Sequence, residues 1–423
     1  MAAESHTVLA DSAASRYSRA MRFRESFPIL LAFAACCLAS TTLRATPPAD
    51  TNFFPVMAWN WAPNDPVTLK RMHDAGLTVA GFVPAGALDA CLAAGLKAIV
   101  SDNRTSGYDW TKVDPVRARE NVAKLVAEVG SHPALFGYYL RDEPGADMFP
   151  GLSTVAALVR ELSPGKWPYI NLFPDYATND QLGTTNYTEY LEHFIATCHP
   201  TILSYDNYSL MDDGSVRENY WSNLEALRAV CHEHGLRFWN IVLAVAHFNY
   251  HEPDAADFRF QAYTTLAYGA RGIAYFTYFA PQVGNYRMAA VDQFGHETPN
   301  WFNMQNVNLQ IQKLAPTLLQ LTCNDVYHIG AIPKGCHAPA TNSLVTSVSG
   351  DNFLVGEFTH TDGSRYLMVV NKDRSKSRPC SPQFRKSPRR LQHVSPYTGA
   401  LTPFEGEYVW LAPGQGVLIK TER

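Results

Sequence analysis

Eight short apolar runs alternate with helical patterns between residue 54 and about residue 322, and this alternation limits the fold more than any other feature. Continuous apolar runs are typical of parallel strands that helices cover on both faces. Eight strand–helix pairs in about 270 residues match a (β/α)8 barrel, the TIM barrel of the α/β class. An open doubly wound sheet is the main alternative, but no glycine-rich phosphate loop follows the first run. The predicted strands are Phe54–Trp59, Leu77–Phe82, Lys97–Ser101, Leu135–Arg141, Trp167–Phe173, Thr201–Tyr205, Arg237–Ala246 and Gly272–Tyr278.

The sequence changes character from about Asn324, where short β-rich runs are separated by turn residues. These runs are Phe353–Phe358, Tyr366–Asn371, Tyr408–Leu411 and Gly416–Lys420. They predict a small antiparallel β-sandwich after the barrel. We therefore expect a signal region at 1–45, a catalytic barrel at 50–322 and an accessory β-sandwich at 323–423.

The N-terminal region has the pattern of an export signal. Arg22 and Arg24 precede an apolar run over residues 27–38, and Leu43-Arg-Ala45 offers a small-residue cleavage site. The run is too short for a comfortable membrane span. We expect a secreted or periplasmic protein. The residues before Cys36 faintly resemble a lipoprotein box, so a lipid-anchored outer-surface protein is the alternative.

Bulk composition excludes several classes of protein. Hydrophobic residues make up 46% of the chain and charged residues 17%, which permits a sizeable core. The net charge is -4 and basic residues do not cluster, so no nucleic-acid partner is expected. The 8 cysteines form no CxxC pair and no Cys/His cluster with zinc spacing. Asp102, Asp142, Asp206 and His247 also lack ligand spacing, so neither a metal nor another cofactor is predicted.

The strand ends supply the candidate site residues, because the active site of such a barrel lies at the C-terminal ends of its strands. The most informative segment, Leu135–Pro144, is an apolar strand that ends in Arg141, Asp142 and Glu143. A surface turn with a local ion pair is the simpler interpretation. A carboxylate at the end of a buried strand is, however, what general acid/base chemistry requires. The candidate substrate-binding residues are Trp59, Trp61, Asp102, Asp142, Asn171, Tyr208, His247 and Tyr278.

The chemistry of these strand ends indicates glycoside hydrolysis. Carboxylates accompany aromatic side chains, which stack on sugar rings, and two carboxyl groups flank the bond that a glycosidase cleaves. The chain has no nucleophile elbow with a Ser-His-Asp order and no HExxH helix.

Tyr138-Tyr-Leu-Arg-Asp-Glu-Pro144 resembles the Asn-Glu-Pro signature of clan A glycoside hydrolases, which are (β/α)8 enzymes. The resemblance implies that Glu143 is the general acid/base. Asp142 stands where the clan has an asparagine that contacts the sugar 2-hydroxyl. The segment from Phe258 to Tyr278 also resembles the seventh helix and eighth strand of barrels related to the family 42 β-galactosidases.

The second catalytic carboxylate departs from that clan, whose nucleophile is a glutamate at the end of strand 7. The segment from Val242 to His247 carries none. The candidates are Asp206, at the tip of strand 6, and Glu252, in the loop after strand 7. We favour Asp206 because a strand tip is a more rigid mount than a loop. Asp142 is a third option, but adjacent strand residues point in opposite directions, so it is not expected to face one substrate together with Glu143.

The sequence therefore predicts an exported glycoside hydrolase (an O-glycosyl hydrolase) that acts on a polysaccharide or oligosaccharide without a cofactor. The missing strand 7 glutamate motivates an alternative, a non-catalytic carbohydrate-binding protein on a degenerate barrel. A structural surface protein that attaches through its β-domain is a third interpretation.

Overall fold

The computed structural model describes residues 53–59, 61–406 and 409–422. The predicted signal region and Cys36 lie outside these residues. In the described part, eight parallel strands close into a barrel in the order of the sequence, and β1 pairs with β8. Their bounds are β1 Val56–Ala58, β2 Val79–Val83, β3 Lys97–Val100, β4 Leu135–Asp142, β5 Trp167–Leu172, β6 Ile202–Asp206, β7 Arg237–Leu243 and β8 Ile273–Phe276.

Helices follow the strands and cover the barrel. Their bounds are α1 Pro66–Asp74, α2 Leu88–Ala93, α3 Asn103–Ser106, α4 Pro115–Val129, α5 Phe149–Leu162, α6 Asn179–Leu182, α7 Tyr187–Cys198, α8 Tyr220–His234, α9 Ala255–Ala267 and α10 Pro299–Leu318. Local sequence determines where several of these helices begin. Asp114 caps α4 by accepting hydrogen bonds from the N–H groups of Val116 and Arg117, and Pro115 takes the first helical position, where no N–H is needed.

The barrel strands are buried on both faces, as continuous apolar runs require. One set of side chains, which includes Met57, Ile99, Trp167 and Trp239, fills the barrel interior. The other set packs against the helices in the largest core of the molecule. The interior is therefore filled by side chains, and ligands can reach the barrel only at its ends.

The C-terminal region is antiparallel, as predicted. Six strands form one sheet in the order β16-β15-β18-β12-β11-β9, and β10 with β14 and β13 with β17 form two small sheets. The bounds are β9 Leu321–Ile329, β10 Val345–Val348, β11 Phe353–His360, β12 Arg365–Asn371, β13 Arg378–Pro379, β14 Pro382–Phe384, β15 Arg390–Val394, β16 Leu401–Pro403, β17 Trp410–Leu411 and β18 Gly416–Glu422. The predicted fold class, a (β/α)8 barrel followed by an antiparallel β-region, is confirmed.

The β-region packs on α9, and among the described residues the barrel and the β-region form one compact unit. Gly356 of β11 lies against the Ala267 carbonyl at the end of that helix, and Gly416 of β18 lies against the Tyr263 ring. No helix in the described part of the chain has the length and apolar character needed to cross a membrane. The domain boundary after residue 322 remains a prediction.

Candidate active site

The ends of three neighbouring strands bring polar side chains together at one end of the barrel. In the parallel register Asp142 of β4 lies beside Asn171 of β5, and Asn171 lies beside Ser204 of β6. Asp206 ends β6, and Glu143 is the first residue after β4. Three carboxyl groups and one amide therefore meet where the sequence predicts the catalytic site.

Asn171 is the hydrogen-bonding centre of this cluster. Its Nδ2 donates to Asp142 Oδ1 at 3.0 Å and to Asp206 Oδ1 at 2.8 Å. Its Oδ1 accepts from Ser204 Oγ at 3.0 Å, and Ser204 Oγ lies 2.9 Å from the Tyr169 hydroxyl. Because Ser204 has only one hydroxyl proton and donates it to Asn171, Tyr169 must be the donor to Ser204. The chain of donors runs from Tyr169 through Ser204 and Asn171 to Asp206.

Glu143 reaches the same cluster through an unusual backbone conformation. Its φ is 43°, in the left-handed region that a residue other than glycine seldom adopts, and its N–H donates to the Asn171 carbonyl at 2.8 Å. Its carboxyl group lies close enough to that of Asp206 for the two to share a proton in a hydrogen bond. The expectation from strand alternation that Asp142 and Glu143 face apart is wrong, because the turn at Glu143 ends the alternation. Both carboxyls act electrostatically on Asp206.

Burial governs the electrostatics of the cluster. It raises the pKa of Glu143 to about 7, the neighbouring Asp142 adds to the rise, and the hydrogen bond with Asp206 opposes it. Asp206 is 5% exposed. Burial first, and then the charges of Glu143 and Asp142, raise the Asp206 pKa well above its usual range. Two carboxyl groups in hydrogen-bond contact need a proton between them, so this pair retains one near neutral pH.

An aromatic wall adjoins the carboxyl cluster. The Tyr208 ring stacks on Phe276 at 5.3 Å between centroids and lies 5.8 Å from the ring of His247. The Tyr208 hydroxyl is close enough to the cluster that Asp206, after burial, raises its pKa. Trp59 also packs against Phe276, at 5.8 Å between ring centroids. The wall therefore joins a residue of β8 with residues that follow β1, β6 and β7.

His247 is held as a neutral ring within this wall. It is 5% exposed, stacks on Tyr286 at 5.3 Å, and places Nδ1 3.0 Å from the Val245 carbonyl. Burial lowers the His247 pKa below its usual value. A neutral imidazole can donate or accept a hydrogen bond to a polar ligand without adding charge to the site.

Four predicted site residues lie outside the cluster. Trp61 is 63% exposed after β1. Asp102 caps α3 and pairs with Arg104, with Nη2 and Oδ2 2.8 Å apart, and hydrogen bonds from Arg104 lower its pKa. Tyr278 is fully buried, and its hydroxyl accepts a hydrogen bond from the Trp301 indole. Glu252 pairs with Arg287 at 2.8 Å, and its side chain is 50% exposed.

Sequence reasoning missed Ser204 and Tyr169. The two-residue period of a β-strand could have identified both. Ser204 lies two residues before Asp206, and Tyr169 lies two residues before Asn171 on its own strand. Residues two apart on a strand share a face, so the strand period places each hydroxyl directly beneath a site residue.

Two groups of candidate metal ligands occur among the described residues, and neither includes the strand-end carboxyls. Glu192, Glu233 and His234 form one group, in which His234 pairs with Glu192. The other combines His251, Asp254 and Asp257, but Asp254 caps α9 and Asp257 binds Arg374. The carboxyls of Asp254 and Asp257 therefore already have protein partners, and Glu192 already pairs with His234.

Comparison with known proteins identifies structures that share this fold. No family model matches the sequence, and no curated protein matches it. Solved structures do match. A family 5 glycoside hydrolase from Bacteroides vulgatus is 13% identical with a TM-score of 0.56, covering 88% of this chain and 89% of its own. A second structure, described as a glycoside hydrolase, is 13% identical with a TM-score of 0.54, covering 88% and 93%.

A β-galactosidase from the psychrophilic Marinomonas ef1 also matches, at 12% identity and a TM-score of 0.45. The alignment covers 63% of this chain and 62% of that β-galactosidase. The resemblance to clan A glycoside hydrolases that the strand 4 segment indicates is confirmed for the fold. At such low identity the likeness concerns architecture, and the chemistry of this chain must be argued from its own side chains.

Proposed function

We propose that the protein is a glycoside hydrolase in which Glu143 and Asp206 form the catalytic pair. The observation that carries the proposal is that Asn171 binds both residues at the strand ends: its side chain donates to Asp206 at 2.8 Å and its backbone carbonyl accepts the Glu143 N–H at 2.8 Å. Burial there raises the pKa of Glu143 to about 7. A glycosidase requires one carboxyl that stays protonated near neutral pH and a second that acts as carboxylate.

We assign the two roles from the strand 4 resemblance, which makes Glu143 the acid/base, and from the surroundings of the two carboxyl groups. Asp206 accepts an N–H bond from Asn171, and a bond donated to a carboxylate favours its charged form. Glu143 is half-buried whereas Asp206 is 5% exposed, so we assign to Glu143 the transfer of the shared proton to the leaving oxygen. Asp206 attacks the anomeric carbon as the glycosidic bond breaks, and water then releases the sugar while Glu143 takes the proton from that water. The two carboxyl groups lie close enough to influence each other's pKa, and a short separation of this kind favours this order over direct attack by water.

The aromatic wall of Tyr208, Phe276 and Trp59 supplies the apolar surface that a sugar ring needs. Asp142 is held by Asn171 at the rim of the pair and can accept a hydrogen bond from a sugar hydroxyl. The proposed substrate class is therefore a polysaccharide or an oligosaccharide.

One observation favours a second candidate, a carbohydrate-binding protein without turnover. The described residues after β7 offer no carboxylate until Glu252, which is already paired with Arg287. If Asp206 cannot act as the nucleophile, the same cleft would bind a sugar and release it unchanged.

The test is hydrolysis of a broad panel of aryl glycosides and polysaccharides by the wild type, Glu143→Gln and Asp206→Asn. Loss of a general acid should slow the reaction by about 100-fold or more, and loss of the nucleophile should cost at least as much. Glu252→Gln is the matched control, since it removes a carboxylate outside the cluster, and we expect it to stay close to wild type.

Two outcomes contradict the proposal. Turnover by Glu143→Gln within about tenfold of wild type would exclude its role as the acid. Saturable sugar binding without turnover of any substrate would reject catalysis and favour the binding protein.

We also propose that the protein is exported, on the basis of the basic residues and apolar run before residue 45. N-terminal sequencing of the protein from the culture medium, the periplasm and the membrane fraction would locate the cleavage site. It would also separate a secreted or periplasmic protein from one anchored at Cys36.

A further inference from the structure

The C-terminal β-region contains a cavity remote in sequence from the carboxyl cluster. It lies between the segment around Asn342, the end of β14 and the loop that follows it, with a volume of about 610 Å³. Cavities of this size bind small ligands in other proteins. Nothing in the proposed reaction uses it.

The cavity is cationic. Arg365, Arg385 and Lys386 line it, and no acidic side chain is among the described residues that do so. Arg385 donates only to backbone carbonyls, those of Ser343 at 3.3 Å and Ala340 at 2.9 Å. Its charge therefore has no carboxylate partner in the described part of the chain.

Arg365 is only partly compensated. Its Nη2 lies 3.4 Å from Oε2 of the buried Glu357, whose other oxygen accepts hydrogen bonds from the Tyr327 hydroxyl at 2.8 Å and the Leu344 N–H at 2.6 Å. The Nε of Arg365 is buried without a hydrogen-bond partner. A buried guanidinium N–H without an acceptor is costly, so Glu357 satisfies the Arg365 side chain only in part.

The remaining lining suits a saccharide. Phe384 contributes an apolar surface at the end of β14, while Asn342 and Thr421 contribute an amide and a hydroxyl. An apolar face with a few polar groups is the usual composition of a sugar site. The lining thus combines cation, aromatic and hydroxyl chemistry in one concave surface.

We propose that this cavity binds an anionic saccharide, one whose sugar units carry carboxylate or sulfate groups. The anionic part of the proposal rests on the three cationic side chains. The saccharide part rests in addition on the proposed function, since a site on the β-region of a glycosidase would hold the polymer while the barrel cleaves it. Carboxylate and sulfate groups each present at least two negatively charged oxygen atoms, which the guanidinium of arginine binds in a bidentate manner.

The experiment measures binding by calorimetry in the Glu143→Gln protein, so that turnover does not alter the ligand. The probes are three oligosaccharides of equal length, an oligogalacturonate, a sulfated galactan fragment and a neutral β-glucan fragment. We expect one or both anionic probes to bind, with affinity falling as salt rises, and the neutral probe to bind at least about tenfold more weakly. The preferred anionic probe identifies carboxylate or sulfate as the recognised group.

Two added variants test the location. Arg385→Gln with Lys386→Gln removes two exposed cations, and Asn342→Trp fills the cavity without changing its charge. Both should weaken binding about tenfold or more. Lys112→Gln with Lys124→Gln is the control, because it removes two exposed cations from the barrel region, and it should leave binding unchanged.

Equal affinity for neutral and anionic probes, no binding of any probe, or binding that survives both cavity variants would each overturn the proposal. The outcome is separable from that of the proposed function. Binding at the cavity by a protein without hydrolytic activity would reject the function and retain the site, whereas hydrolysis without cavity binding would do the reverse.

Discussion

At the scale of single residues, Glu143 determines how the proposed reaction depends on pH. Burial first, and then Asp142, raise its pKa from an ordinary 4.5 to about 7. A general acid must be protonated, so kcat/KM of the wild type on any active substrate should fall as pH rises through about 7. A pH–rate profile that stays flat from pH 6 to about pH 9 would contradict this assignment.

The same pKa shift predicts how stability changes with pH. Between pH 4.5 and about 7 the folded protein holds a proton on Glu143 that the unfolded chain releases. Stability is therefore lost as pH rises through this window. Chemical unfolding at several pH values should show a flatter dependence in Glu143→Gln, because glutamine does not titrate.

Asn171 holds the carboxyl cluster in place, and its loss should affect activity and stability together. Asn171→Ala removes the donor to Asp142 and Asp206 and leaves Ser204 without its acceptor. Unpaired buried polar groups cost about 1–3 kcal/mol each, so the free energy of unfolding should fall by that order. Activity should fall as well, because the bond that lowers the pKa of Asp206 is gone.

A second buried amide provides the control for Asn171. Asn308 of α10 donates to the Ala75 carbonyl at 2.8 Å and accepts from the Tyr275 hydroxyl at 2.7 Å. Asn308→Ala should lower the melting temperature by a comparable amount but leave the activity of the folded protein near wild type. If both variants lose activity equally, Asn171 has only a structural role.

At the scale of elements, the sequence predicted every barrel strand but only part of the β-region, where the four predicted runs correspond to β11, β12, β17 and β18. All eight barrel strands occur within the predicted runs or within one residue of them, since buried parallel strands are long enough to stand out as apolar segments. Strands such as β13 and β16 are two or three residues long and partly exposed, so they carry no apolar pattern. Strand β9 begins at Leu321, where helical periodicity of α10 still appears in the sequence.

For the site residues, the sequence predicted where each lies along its strand but not the direction in which its side chain points. Asp206 and Asn171 could be placed because they end apolar runs. The orientation of Glu143 depends on a left-handed backbone conformation after β4, which glycine usually signals and glutamate does not. The pairing of Glu252 with Arg287 joins residues 35 positions apart, so sequence alone does not reveal it.

Gly137 links the packing of β4 and β5 to the position of the carboxyl cluster. A Cβ atom at this residue would overlap the carbonyl oxygen of Trp167 on β5. Gly137→Ala must therefore push the two strands apart, and we expect a loss of about 1–3 kcal/mol in the free energy of unfolding. Because Asp142 and Asn171 lie on the same two strands, activity should fall too.

The control for Gly137 is Gly86→Ala, since a Cβ atom at Gly86 has nothing within 4 Å. This variant should unfold at nearly the wild-type temperature and retain activity. Similar melting temperatures for the Gly137 and Gly86 variants would show that β4 and β5 accommodate the methyl group without separating.

At the scale of the whole molecule, one buried ion pair joins the barrel to the β-region. Arg374, in the loop after β12, lies 2.8 Å from Asp257 of α9, and their side chains are 15% and 2% exposed. Burial raises the pKa of Asp257, and the hydrogen bond from Arg374 opposes that rise. The carboxylate therefore depends on its partner for its charge.

Removing one partner of this pair should cost more than removing both. Arg374→Gln leaves Asp257 buried without its guanidinium, and breaking a buried pair in this way costs about 3–5 kcal/mol. Asp257→Asn combined with Arg374→Gln removes the isolated charge, so the double variant should be more stable than Arg374→Gln alone. Urea unfolding of the wild type, both single variants and the double variant measures the coupling. Additive losses would mean that the two regions are held together by the apolar contacts of α9 with β11 and β18, and that the ion pair contributes little.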